Sequence, residues 1–212
     1  MLLKDPLLVT KLQLPALSHR LVSRPHLTAQ LNEVLKRKLT LVSAPAGYGK
    51  TTLICEWLAT LSDGDVPFAW VSLDEGDNDP VRFWSYVLTA LDQLHVGLNE
   101  QALTLLQSPQ PPSLEPILTT QINALMTIPR HFVLVLDDYH MITTQSIHHG
   151  FTFLLKHMPS QMHIVLLSRS NPPFSLSRLR THEQVVEVCA TDLCFTTREV
   201  AEFLKEVMNH CC

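Results

Sequence analysis

Residues 44–52 read Ala-Pro-Ala-Gly-Tyr-Gly-Lys-Thr-Thr, directly after the apolar run Leu39-Thr40-Leu41-Val42. Residue types in this order form a loop that wraps the phosphates of a nucleotide. Gly47 and Gly49 let the backbone turn its N–H groups inward, Lys50 reaches the β- and γ-phosphates, and the Thr51 hydroxyl ligates Mg²⁺. Ala44, Ala46, Tyr48 and Thr52 complete the cradle, with Ala44 standing where the general pattern has its first glycine. A helix opening at Lys50 aims its positive end at the same anion. The pattern is short, so its surroundings decide its meaning. A β-rich run precedes it, and Leu53, Ile54, Trp57, Leu58 and Leu61 follow at helical spacing. The chemistry expected is binding of ATP or ADP with Mg²⁺.

Two further groups fit that chemistry. Asp137-Asp138 closes the apolar run Phe132–Leu136. A carboxylate at the C-terminal end of a buried strand, opposite a phosphate loop, is placed to hold the nucleotide's Mg²⁺. Asp137 is expected to bind the metal through its waters, and Asp138 to polarise an attacking water. The acid pair points to the ATPase branch of phosphate-loop folds. Arg169 ends the next apolar run, in Leu167-Ser168-Arg169-Ser170-Asn171-Pro172-Pro173. There its guanidinium is expected to sense the γ-phosphate through charge-assisted hydrogen bonds.

The elements that must position these residues alternate. Strands are expected at 39–43, 67–73, 132–137, 163–168 and 184–188, and helices at 26–36, 50–61, 80–94, 114–128 and 144–157. Strands alternating with helices predict an α/β fold, a three-layer α/β/α phosphate-loop NTPase with a five-stranded, mainly parallel sheet. The runs 132–136 and 164–167 are apolar throughout, as strands buried on both faces require. Residues 1–25 read as an extended lead-in, 26–190 as the ATPase domain, and 108–113 as a loop within it. Thr196-Thr197-Arg198-Glu199 offers a capping box for a last helix. Residues 191–212 are expected to begin a following helical domain, the chain being a piece of a longer protein.

Composition sets the outer limits. The chain has 212 residues, 46% of them hydrophobic and 17% charged, enough apolar material for a buried core. Its formal net charge is −4 and its densest basic run is Lys36-Arg37-Lys38, so no electrostatic footprint for direct DNA contact is present. The N-terminus lacks a signal-peptide core, and no apolar run reaches membrane-spanning length; a soluble, cytoplasmic protein is expected. The five cysteines, Cys55, Cys189, Cys194, Cys211 and Cys212, match no zinc spacing. Cys55 is expected to be a buried thiol. The histidines form no His-Glu-x-x-His helix, and Ser168 and Ser170 lie in no nucleophile elbow. The acid-rich stretch Asp74-Glu75-Gly76-Asp77-Asn78-Asp79 lacks the twelfth-position glutamate of a calcium loop, and Asp79-Pro80 is instead a helix start.

The phosphate loop, Trp70-Val71-Ser72-Leu73-Asp74-Glu75-Gly76-Asp77-Asn78, Leu136-Asp137-Asp138-Tyr139-His140 and Leu166-Leu167-Ser168-Arg169 occur in an order that resembles the large ATP-binding LuxR-type bacterial regulators, the group of the maltose-operon activator. The segments around Val22-Ser23-Arg24-Pro25 and Asp192-Leu193-Cys194-Phe195-Thr196 resemble the same family. It belongs to the signal-transduction ATPases with numerous domains (STAND ATPases). The resemblance implies a nucleotide-switched regulatory module that self-associates with ATP bound, with sensor and DNA-binding domains downstream. It places Val22 and Arg24 near the adenine end. Two rival functions remain on the same residues: a metabolic phosphotransferase, with 95–113 as its lid, and a non-hydrolysing nucleotide-binding scaffold.

Overall fold

The structure is a computed structural model, and it describes residues 6–16, 24–61, 66–94, 100–108, 112–197 and 199–200. Five strands form one sheet: β1 (Leu39–Ser43), β2 (Phe68–Ser72), β3 (Phe132–Asp137), β4 (Met162–Ser168) and β5 (Val185–Cys189). Their order is β2-β3-β4-β1-β5, and every pairing is parallel rather than mainly so. β4 inserts between β3 and β1, pairing Ser168 with Ser43. In consequence Ser43, Asp137 and Ser168 end at one edge of the sheet.

Alternation along the strands divides the core in two. Leu134 and Leu136 of β3 and Ile164 and Leu166 of β4 enter one cluster, under α3 (Pro80–Asp92), α4 (Glu100–Leu106), α5 (Leu114–Leu125) and α6 (Gln145–His157). Val133, Val135, Val165 and Leu167 enter the other, under α1 (Pro25–Leu31) and α2 (Lys50–Leu61). The α/β/α layering follows, and so does the direction of the Asp137 side chain. Asp137 shares its parity with Val133 and Val135, so it projects toward α2 and the phosphate loop.

Local chemistry sets the helix ends. Asp79 caps α3, its Oδ1 accepting from the Arg82 N–H at 2.8 Å, with Pro80 in the first turn. α1 is shorter than expected, giving way to a 3₁₀ turn over Asn32–Lys36. α4 lies where no helix was expected, ahead of the 108–113 loop, and buries Ala102 and Leu106. The lead-in is not simply extended: Val9–Leu12 make a 3₁₀ turn that buries Leu12 and sends the Lys11 ammonium to Asp77. Two short helices, α7 (Ser177–Thr181) and α8 (Ala190–Leu193), flank β5. Cys55 is buried, which pushes its thiol up to about 11. Among the described residues no helix is long and apolar enough to cross a membrane.

Candidate functional site

The loop between β1 and α2 has the backbone its glycines were expected to supply. Gly47 (φ +83°) and Gly49 (φ +74°) both lie in the left-handed region, which a residue with a Cβ occupies only at a cost. The tip of the loop, from Pro45 to Gly49, is exposed, while Ala44 and Lys50 at its ends are buried. Tyr48 is 38% exposed there. The Lys50 ammonium lies back across the loop and donates to the carbonyls of Ala44 (2.8 Å) and Pro45 (3.0 Å). Burial lowers its pKa, Asp138 and Asp137 oppose that shift, and Arg169 adds to it. Lys50, both aspartates and Arg169 therefore act on one another across a single site.

Thr51, in the first turn of α2, donates its hydroxyl to Asp137 Oδ2 at 2.9 Å. Asp137 Oδ1 accepts the Asp138 N–H at 2.8 Å. Burial first, and the neighbouring Asp138 second, raise the pKa of Asp137. A buried carboxylate touching a hydroxyl, with a second carboxylate beside it, offers the hard oxygen donors that Mg²⁺ prefers. The donor set therefore fits Mg²⁺ held by Thr51 and Asp137.

Asp138 leaves the strand in the left-handed conformation (φ 53°, ψ 38°), which is unusual for a residue with a side chain. Its side chain is 47% exposed, with His140 Nδ1 at 3.8 Å from Oδ1. Tyr139 turns into the core, 0% exposed, its hydroxyl 3.0 Å from His148 Nδ1. Burial lowers the His140 pKa, opposed by Asp138 and reinforced by Arg169 and Lys50. Arg169 follows β4 at the same sheet edge and is exposed. The turn that carries it is pinned by Ser168, whose hydroxyl donates to the Ser170 carbonyl at 2.6 Å.

The adenine-side expectations fare differently. Val22 lies outside the described residues. Arg24 is described, 6% exposed, and its guanidinium is committed to protein. It donates to the carbonyls of Leu193 (2.8 Å), Cys194 (2.9 Å) and Asp192 (3.3 Å) and to Glu199 Oε1 (3.0 Å). The capping box at Thr196 is formed, with Glu199 Oε2 accepting from the Thr196 N–H at 2.7 Å. Arg24 thus joins the start of α1 to the segment after β5, a tie spanning up to 175 residues that no local pattern announces. His140 and Asn78 were also missed. Both stand inside the motifs that carried the resemblance, but nothing in their spacing assigns them a partner.

No protein-family model matches the chain. At 39% identity over 197 residues the chain matches the HTH-type transcriptional regulator MalT of Cronobacter sakazakii, a match covering 93% of this chain and 21% of that protein. The chain thus spans about a fifth of the length of the curated relatives it matches. Among solved structures, Cdc6p from Pyrobaculum aerophilum superposes with a TM-score of 0.54 at 15% identity, over 92% of this chain and 52% of that one. A signal-transduction ATPase with numerous domains and a tetratricopeptide-repeat sensor, from Pyrococcus horikoshii, superposes with a TM-score of 0.53 at 12% identity, over 92% and 26%. These two likenesses concern the fold.

Proposed function

We propose, for a chain homologous over 93% of its length to a segment of the MalT-type HTH transcriptional regulators, that these residues form an ATP-binding, slowly hydrolysing switch module. The observation that carries the proposal is the convergence of Lys50, Thr51, Asp137, Asp138 and Arg169 at one sheet edge, next to a loop with two left-handed glycines. The loop N–H groups and the positive end of α2 receive the phosphates. Lys50 exchanges its two carbonyl partners for phosphate oxygens. Thr51 and Asp137 would hold Mg²⁺, which would neutralise phosphate charge. Asp138, half-exposed and hydrogen-bonded through its own N–H to Asp137, orients and polarises the attacking water, and Arg169 contacts the γ-phosphate.

In this proposal ATP favours a self-associating form and ADP a resting form, and hydrolysis resets the module. Such a switch requires only that the two nucleotides bind the two states with different affinity. DNA contact is assigned to other parts of the full-length protein. Against the phosphotransferase alternative, the 95–113 segment carries no Arg or Lys for a lid, and its α4 packs Ala102 and Leu106 into the core. The test is Asp138→Asn: nucleotide affinity should hold while phosphate release drops at least tenfold. Equal phosphate release by both proteins would leave the non-hydrolysing scaffold standing.

A further inference from the structure

The acid-rich turn after β2 has no role in the chemistry above, yet it is among the most heavily bonded parts of the molecule. Asp74 caps a 3₁₀ turn over Glu75–Asn78, its Oδ1 accepting from the Gly76 N–H at 2.8 Å. Asp77 closes the box, its Oδ2 accepting from the Asp74 N–H at 2.9 Å. The Asp77 carboxylate is 0% exposed and is paired with both Lys11 and Arg82. Two cations on a buried carboxylate, within a doubly capped turn, make the next residue a fixed point.

That residue is Asn78, and its amide faces the loop that carries Asp138. Nδ2 donates to the carbonyls of Met141 (2.8 Å) and Glu75 (3.0 Å). Oδ1 accepts from the backbone N–H of Thr143 (2.7 Å) and Thr144 (3.2 Å). The partners fix the orientation of the amide, because a flip would set oxygen against two carbonyls and NH₂ against two N–H groups. Thr144 is the N-cap of α6, yet it makes no side-chain cap; its hydroxyl donates to the Asn78 carbonyl at 2.7 Å. Met141, caught by Asn78, in turn donates its N–H to the Asp138 carbonyl at 2.9 Å. Asp138 sits at φ 53°. A non-glycine residue keeps that conformation only where its surroundings over-determine it, at about 1–3 kcal/mol.

We infer that Asn78 is a positioning residue for Asp138. Its amide braces the 138–144 loop against the capped turn after β2, and so fixes where the catalytic carboxylate points. This inference rests on the hydrolytic reading above. Lys11 extends the brace to the N-terminal strap, since the same ammonium that pairs with Asp77 belongs to the turn packed along β2.

The test compares the full 212-residue chain with Asn78→Ala and Asn78→Asp. Asn78→Asp keeps the shape but sets a carboxylate oxygen against the Met141 and Glu75 carbonyls, so it reads the brace even where the alanine variant folds poorly. Measured together are steady-state ATP hydrolysis, MgATP affinity, and amide hydrogen exchange over 138–144. Both variants should exchange faster at Thr143 and Thr144, lose kcat by about tenfold to a hundredfold, as a misplaced catalytic group does, and change KM and affinity less than twofold. Unchanged exchange over 138–144 overturns the brace. Faster exchange with unchanged kcat overturns the positioning role. An equal loss of kcat and of affinity shows a general structural role and overturns it as well. A wild-type chain that binds MgATP without turning it over overturns the hydrolytic reading, and with it the role of Asn78 in catalysis; exchange still reports the brace.

Discussion

Replacing Arg24 with alanine should loosen the segment after β5 and leave the phosphate loop in place. The side chain makes four hydrogen bonds, at 2.8, 2.9, 3.0 and 3.3 Å, to three consecutive carbonyls and one carboxylate. Its guanidinium also lies 5.1 Å from the centroid of the Phe195 ring. Removing one partner of a buried ion pair costs about 3–5 kcal/mol, and a hydrogen bond to a charged group contributes about 1.5–3. The Glu199 side chain is 8% exposed. Between those two ranges, about 2–4 kcal/mol is the working figure. Because the bonds gather on 192–199, the loss should appear as local opening, a roughly 30- to 800-fold rise in exchange of amides such as Cys194 and Thr196. Arg24→Lys should recover less than half of that, since an ammonium cannot fork across several carbonyls. The assay is hydrogen exchange resolved over 189–200 and over 44–51, beside MgATP affinity. Unchanged exchange over 189–200 would refute the clamp. Lost affinity without that loosening would return Arg24 to the adenine site.

Other outcomes follow from the same geometry. Burial would raise the Glu199 carboxyl, but hydrogen bonds from Thr196 and Arg24 outweigh it and hold it at about 2. The clamp's stability is therefore complete above pH ~4.5 and lost as pH falls toward 2; a pH series of exchange over 189–200 reads it. Asp137 is raised, not lowered, so its charge works against folding in the nucleotide-free chain. Asp137→Asn should raise the melting temperature without ligand and abolish the further rise given by Mg²⁺ with nucleotide. His163 is 2% exposed; its Nδ1 lies 2.7 Å from the Arg37 carbonyl and its Nε2 2.8 Å from His131 Nδ1. Nδ1 must then carry the proton and Nε2 must accept. Burial lowers its pKa, so stability should be constant above pH ~6.5 and fall as pH drops through the lowered value. His163→Gln should flatten that part of the profile in urea titrations.

The strands were legible to within about a residue, because an apolar run bounded by charge or proline leaves little choice of register. The positions of the candidate phosphate loop and of Asp137 were legible for a related reason: both lie at the exit of a buried strand. What escaped depends on partners far away in sequence. The acids of 74–79 were excluded as a calcium loop by sequence, but that Lys11 and Arg82 pair with Asp77 was not visible there. Arg24, placed by resemblance near the adenine end, has hydrogen-bond partners 168 to 175 residues on. Asn78 pairs with residues 63 to 66 positions away. α4 is only seven residues long, too short for periodicity to mark it, and it buries Ala102 and Leu106 against neighbouring helices. The left-handed backbone of Asp138 is one that aspartate adopts more readily than most residues, but residue type alone does not announce it.

The central claim is that Lys50 and its loop hold a nucleotide. Isothermal titration of the chain with MgATP, set against Lys50→Ala, tests it most directly. Among the described residues Lys50 hydrogen-bonds to two carbonyls, 2.8 and 3.0 Å away, so its loss leaves no carboxylate without a hydrogen-bond partner. The account predicts saturable one-to-one binding by the wild type and at least a hundredfold weaker binding by the variant, with both proteins melting within a few degrees of each other. Equal affinity of the two proteins would contradict it.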